Sequence, residues 1–320
     1  MKPLVVADIG GTNARFAVAT VADDGAVALD YAATFPTREY DSFDACIARY
    51  LSRARIEGPV DACLAAAGPA VDNAVSMTNL GWRVDGAALT GRFGLDRVHV
   101  VNDFVAMAWS TSVDTQLDLL PIRPGEARQG VRLVLGPGTG LGVCALVPVG
   151  DGWLEVPGEG GHVRCPAWRA FPESVWEQLR AWNPGLYVEL VLSGRGMENL
   201  HAAMLAVSRS RSSASSAVEI TASAVREADA MSVRTARVFC DLLGCAARDF
   251  ALTFGALGGV YLAGGILPRL REQLLGSAFA DHFVDHPTYR DYLSAMPVSL
   301  IQNGQAAMLG AARWFRQRVG

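Results

Sequence analysis

The chain reads as an α/β fold, and three observations predict it. Short β-rich runs alternate with helical periodicities, glycine-rich turns join strand pairs at two distant places, and a 51 % apolar content suits a substantial core. At 320 residues there is room for two ordinary lobes or one large domain. Leu4–Ile9 is a β-rich run, Gly10-Gly11-Thr12-Asn13 breaks it, and residues 14–21 form a second run, which together predict a hairpin. The pattern recurs at residues 132–135, Gly136-Pro137-Gly138-Thr139-Gly140 and Leu141–Val149. Two related lobes that each present a glycine turn to a shared cleft would produce this spacing, and so would two unrelated hairpins.

The other elements follow from the same rules. Residues 43–53 pattern as a helix, 60–66 as a strand, and 98–101 as a strand leading into a helix at 104–110. Ser174 with Glu177 resembles a capping box, opening a helix that stops at Asn183-Pro184-Gly185. Apolar residues at Val233, Ala236, Phe239, Leu243, Ala246 and Phe250 predict a long amphipathic helix over 232–254. A buried strand at 260–263 follows, closed by Gly264-Gly265. Residues 208–217 (SRSRSSASSA) carry almost no apolar bulk and are expected to be a mobile surface loop.

Composition excludes several function classes. The net charge of −4 has the wrong sign for a nucleic-acid binder. No apolar run is long enough to span a membrane, and the N-terminus lacks the form of a signal peptide. The six cysteines are scattered without a CxxC pair, as expected for reduced thiols in a cytoplasmic protein. Lys2 is the only lysine, so chemistry in the body of the chain cannot depend on lysine.

Glycine turns bear on function because backbone N–H groups in a tight turn converge on anions, and glycine lets the backbone approach phosphate closely. Thr12, Asn13 and Thr139 add side-chain donors at the same places. Ordinary hairpins also favour Gly and Asn, but Asp8, at the end of an apolar strand, needs a partner, and a metal–phosphate group is a natural one. A P-loop is excluded because the chain has no Gly-Lys pair. Gly140-Leu-Gly142-Val-Cys-Ala145 approaches a dinucleotide fingerprint, and Glu159 lies at a suitable distance, but a strand follows where a helix is required.

DIGGTNARF from Asp8, GPGTGLGV at 136–143, PGEGGHV at 157–163, VLSGRGM and LAGGI at 262–266 resemble the bacterial glucokinase family of the hexokinase/actin-like ATPase superfamily. The similarity runs from residue 4 to about residue 315, in order. It implies a two-lobed actin-like ATPase (ribonuclease H-like) fold around a cleft. The small α/β domain would combine residues 1–110 with about 301–320, and residues 111–300 would form the large one. It implies that Ala7, Asp8, Ile9, Gly10, Gly11 and Thr12 hold the β- and γ-phosphates of ATP, and that Gly138, Thr139 and Gly140 hold them from the other lobe. Gly264 and Gly265 would lie against the adenosine, and Asp8 would act on Mg²⁺ through water.

Asn102 and Asp103, closing the strand HVVND, match the sugar-binding and catalytic pair of that family, with Asp103 as general base. A helix N-cap is the other role open to Asp103. Glu159, His162 and Glu189 match sugar-hydroxyl ligands, and Asn79 in MTNLGW is a further candidate. The resemblance implies glucose as substrate, ATP as donor and a homodimer. Sugar kinases of the broader ROK type carry a cysteine-rich zinc motif after their histidine; only Cys165 follows His162 closely, so no structural zinc is expected. His282 and His286 are four apart but lack a third ligand, and read as a solvated helix face. A sugar-responsive regulator on the same body would need a DNA-binding segment that the acidic chain does not show. Another hexose, or polyphosphate as donor, remains open.

Overall fold

Alternation along β1 (Leu4–Ile9) decides what the first sheet does with its two faces. Val5, Ala7 and Ile9 enter one core, so Leu4, Val6 and Asp8 face the other side. A computed structural model describes residues 2–56, 59–170 and 172–320. β2 (Asn13–Val21) and β3 (Val27–Pro36) continue from β1 as an antiparallel meander. Helix α1 (Phe43–Ala54) then crosses to β4 (Asp61–Ala66), parallel to β1. A separate hairpin, β5 (Ala74–Met77) with β6 (Trp82–Asp85), leads through α2 (Gly86–Phe93) to β7 (Val98–Asn102), parallel to β4. Phe16, Phe43 and Tyr50 pack between α1 and the sheet, with the Phe16 and Tyr50 rings stacked at 4.9 Å. The strand order is β3-β2-β1-β4-β7, and α3 (Asp103–Ser110) starts where β7 ends.

The remaining strands are β8 (Leu119–Arg123), β9 (Arg132–Pro137), β10 (Leu141–Val149) and β11 (Gly152–Gly158). After them come α4 (Glu173–Trp182), α5 (Gly194–Ser208), α6 (Ala217–Val225) and α7 (Ala230–Phe254). The chain continues through β12 (Val260–Leu262), α8 (Arg271–Leu275), α9 (Phe279–Val284), α10 (Arg290–Ser294), β13 (Val298–Ile301) and α11 (Ala306–Arg318). The second sheet runs β11-β10-β9-β12-β13-β8. β9 is antiparallel to β10 and parallel to β12, which is parallel to β13. This repeats the pattern of β2, β1, β4 and β7, so the two glycine-turn hairpins occupy equivalent places in two sheets of like topology.

Contacts divide the chain into Met1–Asp118 with Val149–Glu155 and Asn303–Gly320, and Leu119–Pro148 with Val156–Gln302. The first unit thus extends past residue 110 and takes in the start of β11. Among the described residues no helix is long and apolar enough to cross a membrane.

Three expectations change. α4 begins after Pro172 with no side-chain cap, so Ser174 and Glu177 lie inside the helix rather than forming its capping box. His282 lies in α9, but His286 lies beyond it and accepts the Thr288 and Tyr289 N–H groups through Nδ1. Residues 208–217 are a built connection rather than a spacer. Ala214 is buried in the core, Ser212 donates to Asp229 at 2.9 Å, and Ser216 with Glu219 forms a true capping box on α6. Serine hydroxyls and backbone caps supply the order that apolar bulk does not.

Asp229 caps α7, accepting from the Ser232 N–H at 2.8 Å and hydroxyl at 2.6 Å, and these bonds hold its carboxyl below the usual range. Asp229→Ala is expected to cost about 1 kcal/mol of stability at pH 7. A depressed carboxylate contributes above its unfolded pKa, so the loss should shrink as pH falls through the acid range. Thermal unfolding at pH 7 and pH 3 checks both; an unchanged Tm at pH 7 would contradict the capping role.

Candidate active site

In the first unit, hairpin register sets Arg15 opposite Asp8 on the face away from α1. Arg15 Nη1 donates to Asp8 Oδ2 at 2.9 Å, and the Asp8 side chain is 19 % exposed. Burial raises the Asp8 pKa and Arg15 opposes that rise. The Gly10 N–H closes the turn on the Asn13 carbonyl at 3.0 Å, while the Thr37 hydroxyl donates to the Gly11 carbonyl at 2.9 Å. The turn from Gly10 to Thr12 is therefore held from within and from β3's far end.

Parallel pairing brings the carboxyl ends of β1, β4 and β7 to one edge of the sheet, where ligands bind in open α/β sheets. Asn102 is the N-cap of α3, its Oδ1 accepting the Phe104 and Val105 N–H groups at 2.9 and 3.2 Å. Its Nδ2 donates to the Gly68 carbonyl at 2.9 Å and to Asp103 Oδ1 at 3.0 Å. Of the two roles open to Asp103, the cap therefore falls to Asn102. Asp103 is the first helical residue, and its Oδ1 also accepts the Phe104 N–H at 3.0 Å. These bonds converge on Oδ1, which leaves Oδ2 for a further donor.

Although Asp103 is partly open to solvent, burial of its carboxyl and the charge of Asp8 push its pKa up to about 7. Its hydrogen bonds from Phe104 and Asn102 act in the opposite sense.

In the second unit, the turn between β9 and β10 closes through the Gly138 N–H and Gly140 carbonyl at 2.7 Å. The first N–H of α5, from Gly194, donates to the Gly138 carbonyl at 2.9 Å. Gly264, at φ +90°, follows β12, and a Cβ there would fall on the Pro137 carbonyl. Gly264-Gly265 thus lies beside the β9–β10 turn, while Gly138 and Gly265 have no atom within 4 Å of where a Cβ would stand. The backbone of this turn is open to a ligand at Gly138 and Gly265.

Glu159, His162 and Glu189 are brought together in that unit. His162 Nδ1 lies 3.6 Å from Glu159 Oε2, and Nε2 lies 4.0 Å from Glu189 Oε1. Glu189 Oε2 accepts the Leu141 N–H at 2.7 Å, and a Cβ on Gly140 would meet that carboxylate. Glu189 therefore braces the glycine turn with one oxygen and keeps the other beside His162. Asn79 stands apart within the first unit, exposed in the turn between β5 and β6, with no hydrogen bond to Asn102 or Asp103 among the described residues.

Sequence reasoning left three participants unassigned. Arg15 was detectable, because a tight hairpin pairs it with Asp8 once the turn is placed. The Gly68 carbonyl had no side-chain signal. Tyr187, whose ring stacks on His162 at 5.1 Å and 15°, follows a loop whose path no local pattern fixes.

The glucokinase family model matches residues 5–318. A glucokinase of Saccharophagus degradans is 36 % identical over 318 residues, covering 99 % of each chain. A crystal structure of glucokinase from an Antarctic psychrotroph matches with a TM-score of 0.87 and 35 % identity, over 99 % of each chain. A ROK family glucokinase from Streptomyces griseus, solved with glucose and AMPPNP, shares the fold at a TM-score of 0.63 and 21 % identity, over 98 % of this chain and 99 % of that one. Because the match runs from the first strand into the last helix, the chain belongs to the bacterial glucokinase family, with its two-domain actin-like ATPase fold.

Proposed function

We propose that the chain transfers the γ-phosphoryl group of ATP to the 6-hydroxyl of glucose, with Asp103 as general base. The observation that carries this reading is the Asp103 carboxyl. One oxygen is fixed by two hydrogen bonds, from Asn102 Nδ2 and the Phe104 N–H, the other is left for a donor, and the pKa is raised to about 7. A base poised near neutrality combines the deprotonated form with useful proton affinity. Asp103 Oδ2 accepts the 6-hydroxyl proton as that oxygen attacks the γ-phosphorus and the bond to ADP breaks. Such assistance is worth about 10²–10⁴-fold, and positioning with charge neutralisation supplies the rest.

Asn102, Glu159, His162, Glu189 and Asn79 are assigned to the sugar hydroxyls. Ala7 to Thr12 and Gly138 to Gly140 are assigned to the phosphates, and Gly264-Gly265 to the adenosine. Magnesium fits the donor set, because Asp8 and Asp103 place two carboxylates against one guanidinium, leaving negative charge for a divalent cation. Among the described residues no group of three His, Cys, Asp or Glu side chains is arranged to hold a metal ion. Bound there through Asp8, magnesium would neutralise charge on the transferring phosphoryl group. On family kinship the reading extends to a homodimer in the cytoplasm. A coupled ADP-release assay over a hexose panel, with ATP and polyphosphate as donors, tests substrate and donor together; the reading expects glucose and ATP.

Asp103→Asn should keep glucose affinity while kcat falls at least a hundredfold. A kcat above about a tenth of wild type would remove Asp103 as base. The same variant carries a stability signature. The folded-state pKa of Asp103 lies above its unfolded value, so its stabilising protonation is complete below pH 4 and lost as pH rises to about 7. Asn keeps the neutral form, so its Tm relative to wild type should be higher at pH 8 than at pH 4.

The pH–rate profile provides a second check. kcat/KM for glucose should fall on the acid side with an apparent pKa near 7, and Asp8→Asn should move that limb to lower pH. A limb near pH 4 in the wild type would contradict the raised carboxyl.

A further inference from the structure

Two carboxylates flank the His162 ring in the second unit without bonding to it. Glu159 Oε2 stands 3.6 Å from Nδ1 and Glu189 Oε1 stands 4.0 Å from Nε2, both beyond hydrogen-bond length. The His162 side chain is 56 % exposed, so burial does not fix it either. What does engage the ring is its face, which lies on the Tyr187 ring at 5.1 Å and 15°.

The backbone on both sides prepares this stack. The Val188 N–H donates to the Val163 carbonyl at 3.0 Å, and the Cys165 N–H donates to the Leu186 carbonyl at 3.1 Å. Residues 163–165 and 186–188 are thereby zipped together, with Arg164 and Tyr187 paired antiparallel. Leu186 and Val188 are buried in the core, so alternation along this extended stretch turns Tyr187 to the other side, where His162 stands. On the histidine's side, the His162 N–H donates to the Glu159 carbonyl at 2.9 Å, and a Cβ on Gly161 would fall on the Leu141 carbonyl. Both backbones are held, and the freedom that remains is rotation of the imidazole about its own side-chain bonds.

That rotation bears on sugar recognition. The gap between Nε2 and Glu189 Oε1 is wide enough for one hydroxyl to bond both atoms, and a ring turned about its Cβ–Cγ bond would break up the pair. We propose that Tyr187 is a positioning residue for sugar binding, its ring holding the His162 imidazole in the plane that keeps Nε2 beside Glu189. A ring already held loses little freedom when the sugar arrives, whereas a free one must be ordered at each encounter. The inference deepens the reading of His162 and Glu189 as sugar ligands and rests on it.

Steady-state kinetics, with calorimetric binding of glucose in the absence of nucleotide, test it on the full chain. Tyr187→Ala should raise the glucose KM and Kd together by about three- to tenfold. kcat should change by less than about twofold, and ADP affinity should stay at the wild-type value. Tyr187→Phe, which keeps the ring, should recover most of the loss. Tyr187→Leu fills the space without a planar face and should raise KM and Kd in the same way, which serves if Tyr187→Ala fails to fold. Once His162→Ala has removed the imidazole, adding Tyr187→Ala should cost less than about a further twofold, because the two residues act through one contact. A folded Tyr187→Ala, or failing that Tyr187→Leu, with wild-type glucose KM and Kd overturns the inference alone. A full additive loss in the His162→Ala background, or an equal loss of ADP affinity, also overturns it, since either makes the tyrosine a general support of the fold. A wild-type chain that neither binds nor phosphorylates glucose overturns the underlying reading and this inference with it.

Discussion

Two carboxylates, Asp8 and Asp103, share one desolvated corner of the first sheet with a single guanidinium, that of Arg15. The rest of the site depends on that imbalance. Strand parity puts Asp8 on the face away from α1, hairpin register sets Arg15 across from it, and parallel pairing through β4 brings β7 to end at the same edge. Arg15 satisfies Asp8 directly, whereas Asp103 receives dipoles from Asn102 and α3 but no counter-charge. Burial first, and then the neighbouring charge of Asp8, raise its affinity for a proton, and proton affinity is what a base acting on a sugar hydroxyl requires. The same excess of negative charge is of the sign that attracts a divalent cation.

The second sheet reuses the first one's plan. A hairpin with a glycine turn, flanked by parallel strands, appears in each, yet the two ends are furnished differently. β1 carries the Asp8 carboxylate one residue before its end, while β9 ends on Gly136 and Pro137 with Gly264 packed against them. The absence of side chains leaves open space at Gly138 and Gly265, and Glu189 braces the turn through the Leu141 N–H. One topology thus supplies an end that carries Asp8 and an end of glycine and proline braced by the Glu189 carboxylate.

Local signals made much of this legible. The strands β1, β10 and β4, the helices α1, α3 and α7, and both glycine turns follow from periodicity and turn chemistry within a residue or two. Asp103 was visible as the residue between a strand and a helix, but its role could not be separated from capping until Asn102 was seen to hold the cap. What stayed hidden was held by side-chain hydrogen bonds between distant segments. The serine-rich connection at 208–217 has almost no apolar residue except Ala214 to mark it, and its order comes from Ser212 on Asp229 and the Ser216 box. Glu155 lies in a strand whose pattern gives no hint of two indoles converging on it from α3 and α11.

The account stands on the charge state of one carboxyl. Carbon-detected NMR titration of aspartate side chains, with Asp103 assigned through Asp103→Asn, reads that state without turnover. The expected result is an Asp103 midpoint near 7 that falls when Asp8→Asn removes the neighbouring charge. An Asp103 midpoint near 4, unmoved by Asp8→Asn, would contradict it.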